Sequence, residues 1–98
     1  MNRCRFTRDA EQDLIDIYIT GLEAYGLKRA EAYQDLLAKK FQTLADYPSF
    51  GSDFGGLRPH LRRAESIAHS VYYQETPGGI LVLRILYKRM DPVRHLQG

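Results

Sequence analysis

Apolar residues follow a period of two at the start of the chain, a helical period through the middle, and β-rich runs near the end. Arg3-Cys4-Arg5-Phe6-Thr7 alternates over a short span and predicts a strand with Cys4 and Phe6 on one side. Ala10, Leu14, Ile17, Tyr18, Gly21, Leu22 and Tyr25 then fall on one helical stripe. Thr7 or Asp9 can cap that helix, and Asp9, Glu11 and Asp13 suit the positive end of its dipole. Gly26 is placed to end it in a left-handed turn. A second helix is predicted over about 27–46, with Ala30, Tyr33, Leu37, Phe41 and Leu44 on its stripe and Pro48 beyond its end. One glycine between two helices forces an antiparallel hairpin. Ile15, Ile19 and Leu36 lie off both stripes, and either widen the core face or leave an apolar strip for a partner.

The second half changes period. Ser49-Phe50-Gly51-Ser52-Asp53-Phe54-Gly55-Gly56 reads as a loop, its two phenylalanines folding back on the core. It lacks the Gly-Lys-Ser/Thr ending of a phosphate-cradling loop. A strand is predicted within 57–67, followed by a hairpin. His69-Ser70-Val71-Tyr72-Tyr73-Gln74-Glu75 and the run from Ile80 to Tyr87 flank the turn residues Thr76-Pro77-Gly78-Gly79. The order β-α-α-β-β-β predicts an α+β domain in which a helical hairpin packs on one face of an antiparallel sheet. With a loop over 76–79, Val71 would oppose Arg84 and His69 would oppose Leu86, placing His69, Arg84 and Lys88 on one side.

At 98 residues the chain is expected to form one domain, residues 1–98. Charged residues at 27% and hydrophobic residues at 44% match a soluble globular protein. Cys4, the single cysteine, has no partner for an internal disulfide. No run of about 18 apolar residues is present and the first residues lack a secretory apolar core, so a cytoplasmic protein is expected, with no membrane partner. The net charge of +2 is too small to identify a nucleic-acid binder, but it is unevenly spread. Residues 1–50 hold 7 Lys/Arg against 8 Asp/Glu, and residues 51–98 hold 7 against 4. A basic face on the strand-rich half fits an acidic partner: nucleic acid, peptide or protein.

Arg84 most needs a reason, since a buried unpaired guanidinium is very costly. It either pairs internally, with Glu65 or Glu75, or anchors a partner's carboxylate or phosphate bidentately. Arg62, Arg63, Lys88 and Arg89 carry a weaker form of the same choice. Metal-free RNA cleavage would need proton-transfer groups and cations around the phosphate; His69 or His95 and Arg84, Lys88 and Arg89 have the right chemistry, without a spacing rule that unites them. The histidines and Cys4 lack metal-motif spacing, so neither metal nor cofactor is expected.

Thr7-Arg8-Asp9-Ala10-Glu11-Gln12-Asp13-Leu14, Ala45-Asp46-Tyr47-Pro48, Gly56-Leu57-Arg58-Pro59, His69-Ser70-Val71-Tyr72-Tyr73 and Val82-Leu83-Arg84-Ile85-Leu86-Tyr87-Lys88-Arg89-Met90-Asp91-Pro92 occur in this order. In these stretches the chain resembles a ParE toxin of the RelE/ParE superfamily, the toxin half of a bacterial type II toxin–antitoxin pair. The resemblance implies inhibition of DNA gyrase without an active site, neutralisation by a ParD-like antitoxin, and a hetero-oligomer with it. It further implies antitoxin contacts at Ile15, Ile19, Arg62, Arg63 and Arg84, with Lys88 and Arg89 as target-facing candidates. The alternatives are a RelE-like ribosome-dependent mRNA endonuclease, with Arg84, Arg89 and His95 as its catalytic candidates, and a degenerate toxin that only binds.

Overall fold

The computed structural model describes residues 2–96. Strand β1 (Arg3–Phe6) leads into helices α1 (Arg8–Tyr25) and α2 (Leu27–Asp46). A 3-10 turn (Pro48–Phe50) precedes strands β2 (Ser52–Asp53), β3 (Leu61–Glu65), β4 (His69–Thr76) and β5 (Gly79–Tyr87), and a short helix α3 (Pro92–Leu96) follows. The sheet order is β1-β5-β4-β3-β2. The α+β class and the helical hairpin on the sheet match the expectation from sequence. The sheet itself is mixed, because β1 runs parallel to β5, Arg3 opposite Gly79 through Phe6 opposite Val82. Alternation along a strand fixes its faces and carries no information about the direction of its neighbour.

Local chemistry sets the helix ends. Thr7 is the cap of α1, its Oγ1 accepting from Ala10 N at 3.0 Å. Gly26 takes φ 89° between the helices, a conformation that L side chains rarely adopt. Its N–H donates to Leu22 O at 3.0 Å. Across the hairpin Gly21 meets Ala30, where an added Cβ would lie 3.4 Å from the Ala30 Cβ, so the helices pack closely.

The main core lies between the hairpin and the sheet, with Ile17, Leu37, Phe41 and Leu44 against Val71, Tyr73, Ile80, Val82 and Ile85. A second cluster on the other face joins Leu61, Tyr72, Leu83 and Leu86 to Leu96 of α3, with Phe54 and Leu57 packed against it. The sheet is therefore partly covered on both faces, which the sequence reading did not include. Phe54 folds back as expected, whereas Phe50 is exposed. Tyr25, read as part of the α1 stripe, is also exposed. The loop is held by Tyr73, whose hydroxyl donates to Pro48 O at 2.7 Å and accepts from Gly51 N at 2.9 Å. A Cβ at Gly51 would collide with that hydroxyl and lie 2.9 Å from Arg63 O, so glycine is needed there for close approach.

From the turn to Tyr73 opposite Val82 the β4–β5 register is the one a loop over 76–79 gives, and beyond that it departs from expectation. Pro77 and Gly78 alone connect the paired Thr76 and Gly79, and an irregularity between Tyr72 and Tyr73 leaves Tyr72 opposite Arg84 and Tyr73 opposite Val82. Val71 consequently faces Ile85, and His69 faces Tyr87. The proposed grouping of His69, Arg84 and Lys88 on one face is overturned, because a bulge shifts the alternation by one residue. Among the described residues no helix is long and apolar enough to cross a membrane.

Candidate functional site

Beyond Phe6 the edge of β5 has no strand partner, and α1 completes it. Thr7 N donates to Val82 O at 3.0 Å, and the Thr7 hydroxyl donates to Leu83 O at 2.8 Å. Asp13, one and a half turns into α1, accepts from Ile85 N at 2.9 Å. The same carboxylate takes Arg84 bidentately, Nε to Oδ2 at 2.8 Å and Nη2 to Oδ1 at 2.9 Å. Arg84 is thus paired internally, but with Asp13 rather than Glu65 or Glu75. The hydrogen bonds that Arg84 donates to Asp13 hold the guanidinium pKa above the usual arginine value, against the cost of burial.

Three of the other candidate cations, Arg62, Arg63 and Lys88, also have partners within the chain. Arg62 donates through Nη1 to Gly51 O at 2.8 Å, bracing the loop before β2. Arg63 lies 3.3 Å from Glu65 and 4.6 Å from the centre of the Phe54 ring. Lys88 approaches the same Glu65 at 3.7 Å, and Ser70 donates to it at 3.1 Å. Arg89 is exposed and enters no ion pair among the described residues. On α1, Ile15 and Ile19 are 52% and 48% exposed, so of the two readings given above they form an apolar strip. Glu11, Asp16 and Glu23 are exposed one turn away along the same helix.

A recess of about 290 Å³ opens between α1 and the end of β5, lined in part by Asp13, Asp16, His69, Arg84 and His95. Two of the nuclease candidates, Arg84 and His95, therefore share a cavity, and Arg89 is not on its wall. His69 was identified from its chemistry alone; its role in the fold depends on a residue that sequence reasoning assigned only to the core. Tyr33 of α2 lies 2.7 Å from His69 Nδ1, and Tyr87 stacks against the ring with centroids 4.4 Å apart. At 4% exposure the imidazole is held below its usual pKa by burial, with Asp13 pulling the other way. Folding therefore favours neutral His69. Stability from this group is fully present above the unfolded pKa of about 6.5 and is lost as pH falls from there toward the lower folded value. Urea melts between pH 5 and 8 are expected to show that loss, and His69→Gln should flatten the slope; identical slopes in the two proteins would contradict the assignment.

Among the described residues no three histidine, cysteine, aspartate or glutamate side chains are grouped to hold a metal ion. Cys4 is pushed up to about 11 by burial and offers no thiolate near neutrality.

The sequence model of the family described as "ParE toxin of type II toxin-antitoxin system, parDE" matches residues 4–92. The chain belongs to the ParE toxin family. Relatives agree in length as well as sequence. Toxin ParE1 of Caulobacter vibrioides is 29% identical over 96 residues, covering 98% of this chain and 99% of the relative. Toxin ParE1 of Mycobacterium tuberculosis is 30% identical over 88 residues, covering 89% and 90%. Among solved structures, a chain of the "Chromosomal ParDE TA system from P. aeruginosa" matches with a TM-score of 0.73 over 89% of this chain and 96% of that one. Its 22% identity makes it a likeness of fold. This ParE-family fold brings Asp13 and Arg84 together, leaves Ile15 and Ile19 outside the core, and separates Arg89 from the recess.

Proposed function

We propose that this chain is the toxin of a ParDE-type pair, that it inhibits DNA gyrase without an active site of its own, and that a ParD-like antitoxin holds it inactive. The reading is carried by the family match over residues 4–92. It gains support from the engagement of Arg84 by Asp13 and the position of Arg89 outside the recess, so the three nuclease candidates do not assemble. Both the gyrase and the ribosome readings place the protein's action in the cytoplasm.

The antitoxin surface divides by charge. Ile15 and Ile19 sit among Glu11, Asp16 and Glu23, so the segment covering α1 should be apolar with basic or neutral flanks. Acidic residues of the antitoxin belong over Arg63 and Arg84, where the Arg84 Nη1 is left over from the Asp13 pair. Arg62, committed to Gly51 O, contributes through the loop it braces. Lys88 and Arg89, in the turn after β5, face the target.

One observation favours a second reading, ribosome-dependent mRNA cleavage: His69, Arg84 and His95 line one recess. Incubating the purified protein with translating ribosomes and, separately, with its antitoxin distinguishes the two. The expected result is intact mRNA and a tight toxin–antitoxin complex. Cleaved mRNA that becomes intact with His95→Ala would replace the first reading by the second.

A further inference from the structure

A groove of about 440 Å³ runs between the outer side of α2 and the turn from β3 to β4. Leu36, Phe50 and Ile67 line it, and Phe50 and Ile67 are 66% and 70% exposed. Large apolar side chains this open, gathered in one concavity, mark a contact surface rather than a stray exposed residue. Lys39 and Lys40 stand on the same wall and enter no ion pair among the described residues. Lys40 Nζ lies 6.0 Å from the centre of the Phe50 ring. Glu65 is the one carboxylate on the wall, and Arg63 and Lys88 already engage it. The groove is therefore apolar with a positive rim, and its occupant has to bring apolar side chains flanked by carboxylates.

That pattern stands on α1 of this same chain. Glu11, Ile15, Ile19 and Glu23 follow one another at i, i+4, so they form a single row along the helix. The row is about 18 Å long, with its apolar pair in the middle and a carboxylate at each end. All four residues are exposed, and neither glutamate enters an ion pair among the described residues. None of the four lines the groove, so the row of one copy does not fill the groove of that copy.

We propose that the antitoxin-free chain self-associates by placing the α1 row of one copy in the α2 groove of another. Ile15 and Ile19 meet Leu36, Phe50 and Ile67, and the carboxylate at one end of the row meets Lys39 and Lys40. Each copy carries both halves of this contact. A nucleic acid would match the lysines alone and leave Phe50 and Ile67 uncovered. The matched area is smaller than a standard interface, so a dissociation constant of about 10–300 µM is expected. The row is also the strip assigned above to the antitoxin, so antitoxin and a second copy exclude one another there. The self-contact rests on neither the antitoxin nor the gyrase reading, and its failure leaves both untouched.

Sedimentation velocity of the full chain without antitoxin, from about 5 to about 500 µM at low salt, tests it. The weight-average mass should rise with concentration from that of one chain. Lys39→Glu with Lys40→Glu reverses the charge of the groove, and Glu11→Lys with Glu23→Lys reverses that of the row. Each double variant, shown by circular dichroism to be folded, should self-associate at least about tenfold more weakly. An equimolar mixture of the two should regain association, because each retains the face that the other has lost. Where a charge variant fails to fold, Ile67→Asp replaces it, since that side chain is 70% exposed and should give the same loss. A wild-type chain that stays monomeric up to about 500 µM overturns the proposal. So does self-association that these substitutions leave unchanged, or a mixture no more associated than its components.

Discussion

Asp13→Ala is expected to destabilise the fold by about 3 kcal/mol, enough to lower the melting temperature by more than about 10 °C. One carboxylate receives three hydrogen bonds, two from Arg84 and one from Ile85 N. Its removal leaves the Arg84 guanidinium, 22% exposed, without its counter-charge and the edge of β5 without an acceptor. Partial exposure of Arg84 keeps the loss below that of a fully buried pair, because water can take over part of the solvation. Arg84→Ala should cost less, since Asp13 keeps Ile85 N. In a double-mutant cycle measured by urea unfolding, the coupling between the two residues is expected to be about 1–2 kcal/mol. A loss below about 0.5 kcal/mol for Asp13→Ala would show that the pair does not hold α1 to the sheet.

On the surface, Ile15→Asp with Ile19→Asp should weaken antitoxin binding at least about 100-fold, or about 2.7 kcal/mol, while changing stability by no more than about 0.5 kcal/mol. Both side chains are about half exposed, so the fold loses little when they become polar. The bound complex would instead have to desolvate two carboxylates on a helix already carrying Glu11, Asp16 and Glu23. Calorimetric titration of the folded double variant with the antitoxin gives the number, and unchanged affinity would remove the α1 strip from the interface.

What the sequence made legible follows from which forces act locally. The stripe of α2 from Ala30 to Leu44, the Thr7 cap and the Gly26 turn are set by neighbours within a few residues, and each stands where expected. Arg84 could be flagged as needing a partner because burial of an unpaired charge is costly anywhere. Asp13 could not be named as that partner, because it lies 71 positions away and reaches Arg84 only because β1 stops at Phe6 and α1 takes over the β5 edge. The parallel placement of β1 and the bulge beside Tyr72 were likewise invisible, since both depend on tertiary pairing rather than on alternation. The partnerless Gln34 amide was missed for a related reason. Gln34 reads as one more polar helix residue, and its lack of a partner exists only once α2, β4 and β5 are assembled.

Gyrase supercoiling in the presence of the purified toxin tests the central claim most directly. The wild-type chain is expected to inhibit the reaction, addition of the antitoxin to restore it, and Lys88→Glu with Arg89→Glu to weaken inhibition at least about tenfold without loss of antitoxin binding. Supercoiling that proceeds unchanged with folded, antitoxin-free protein would contradict the account.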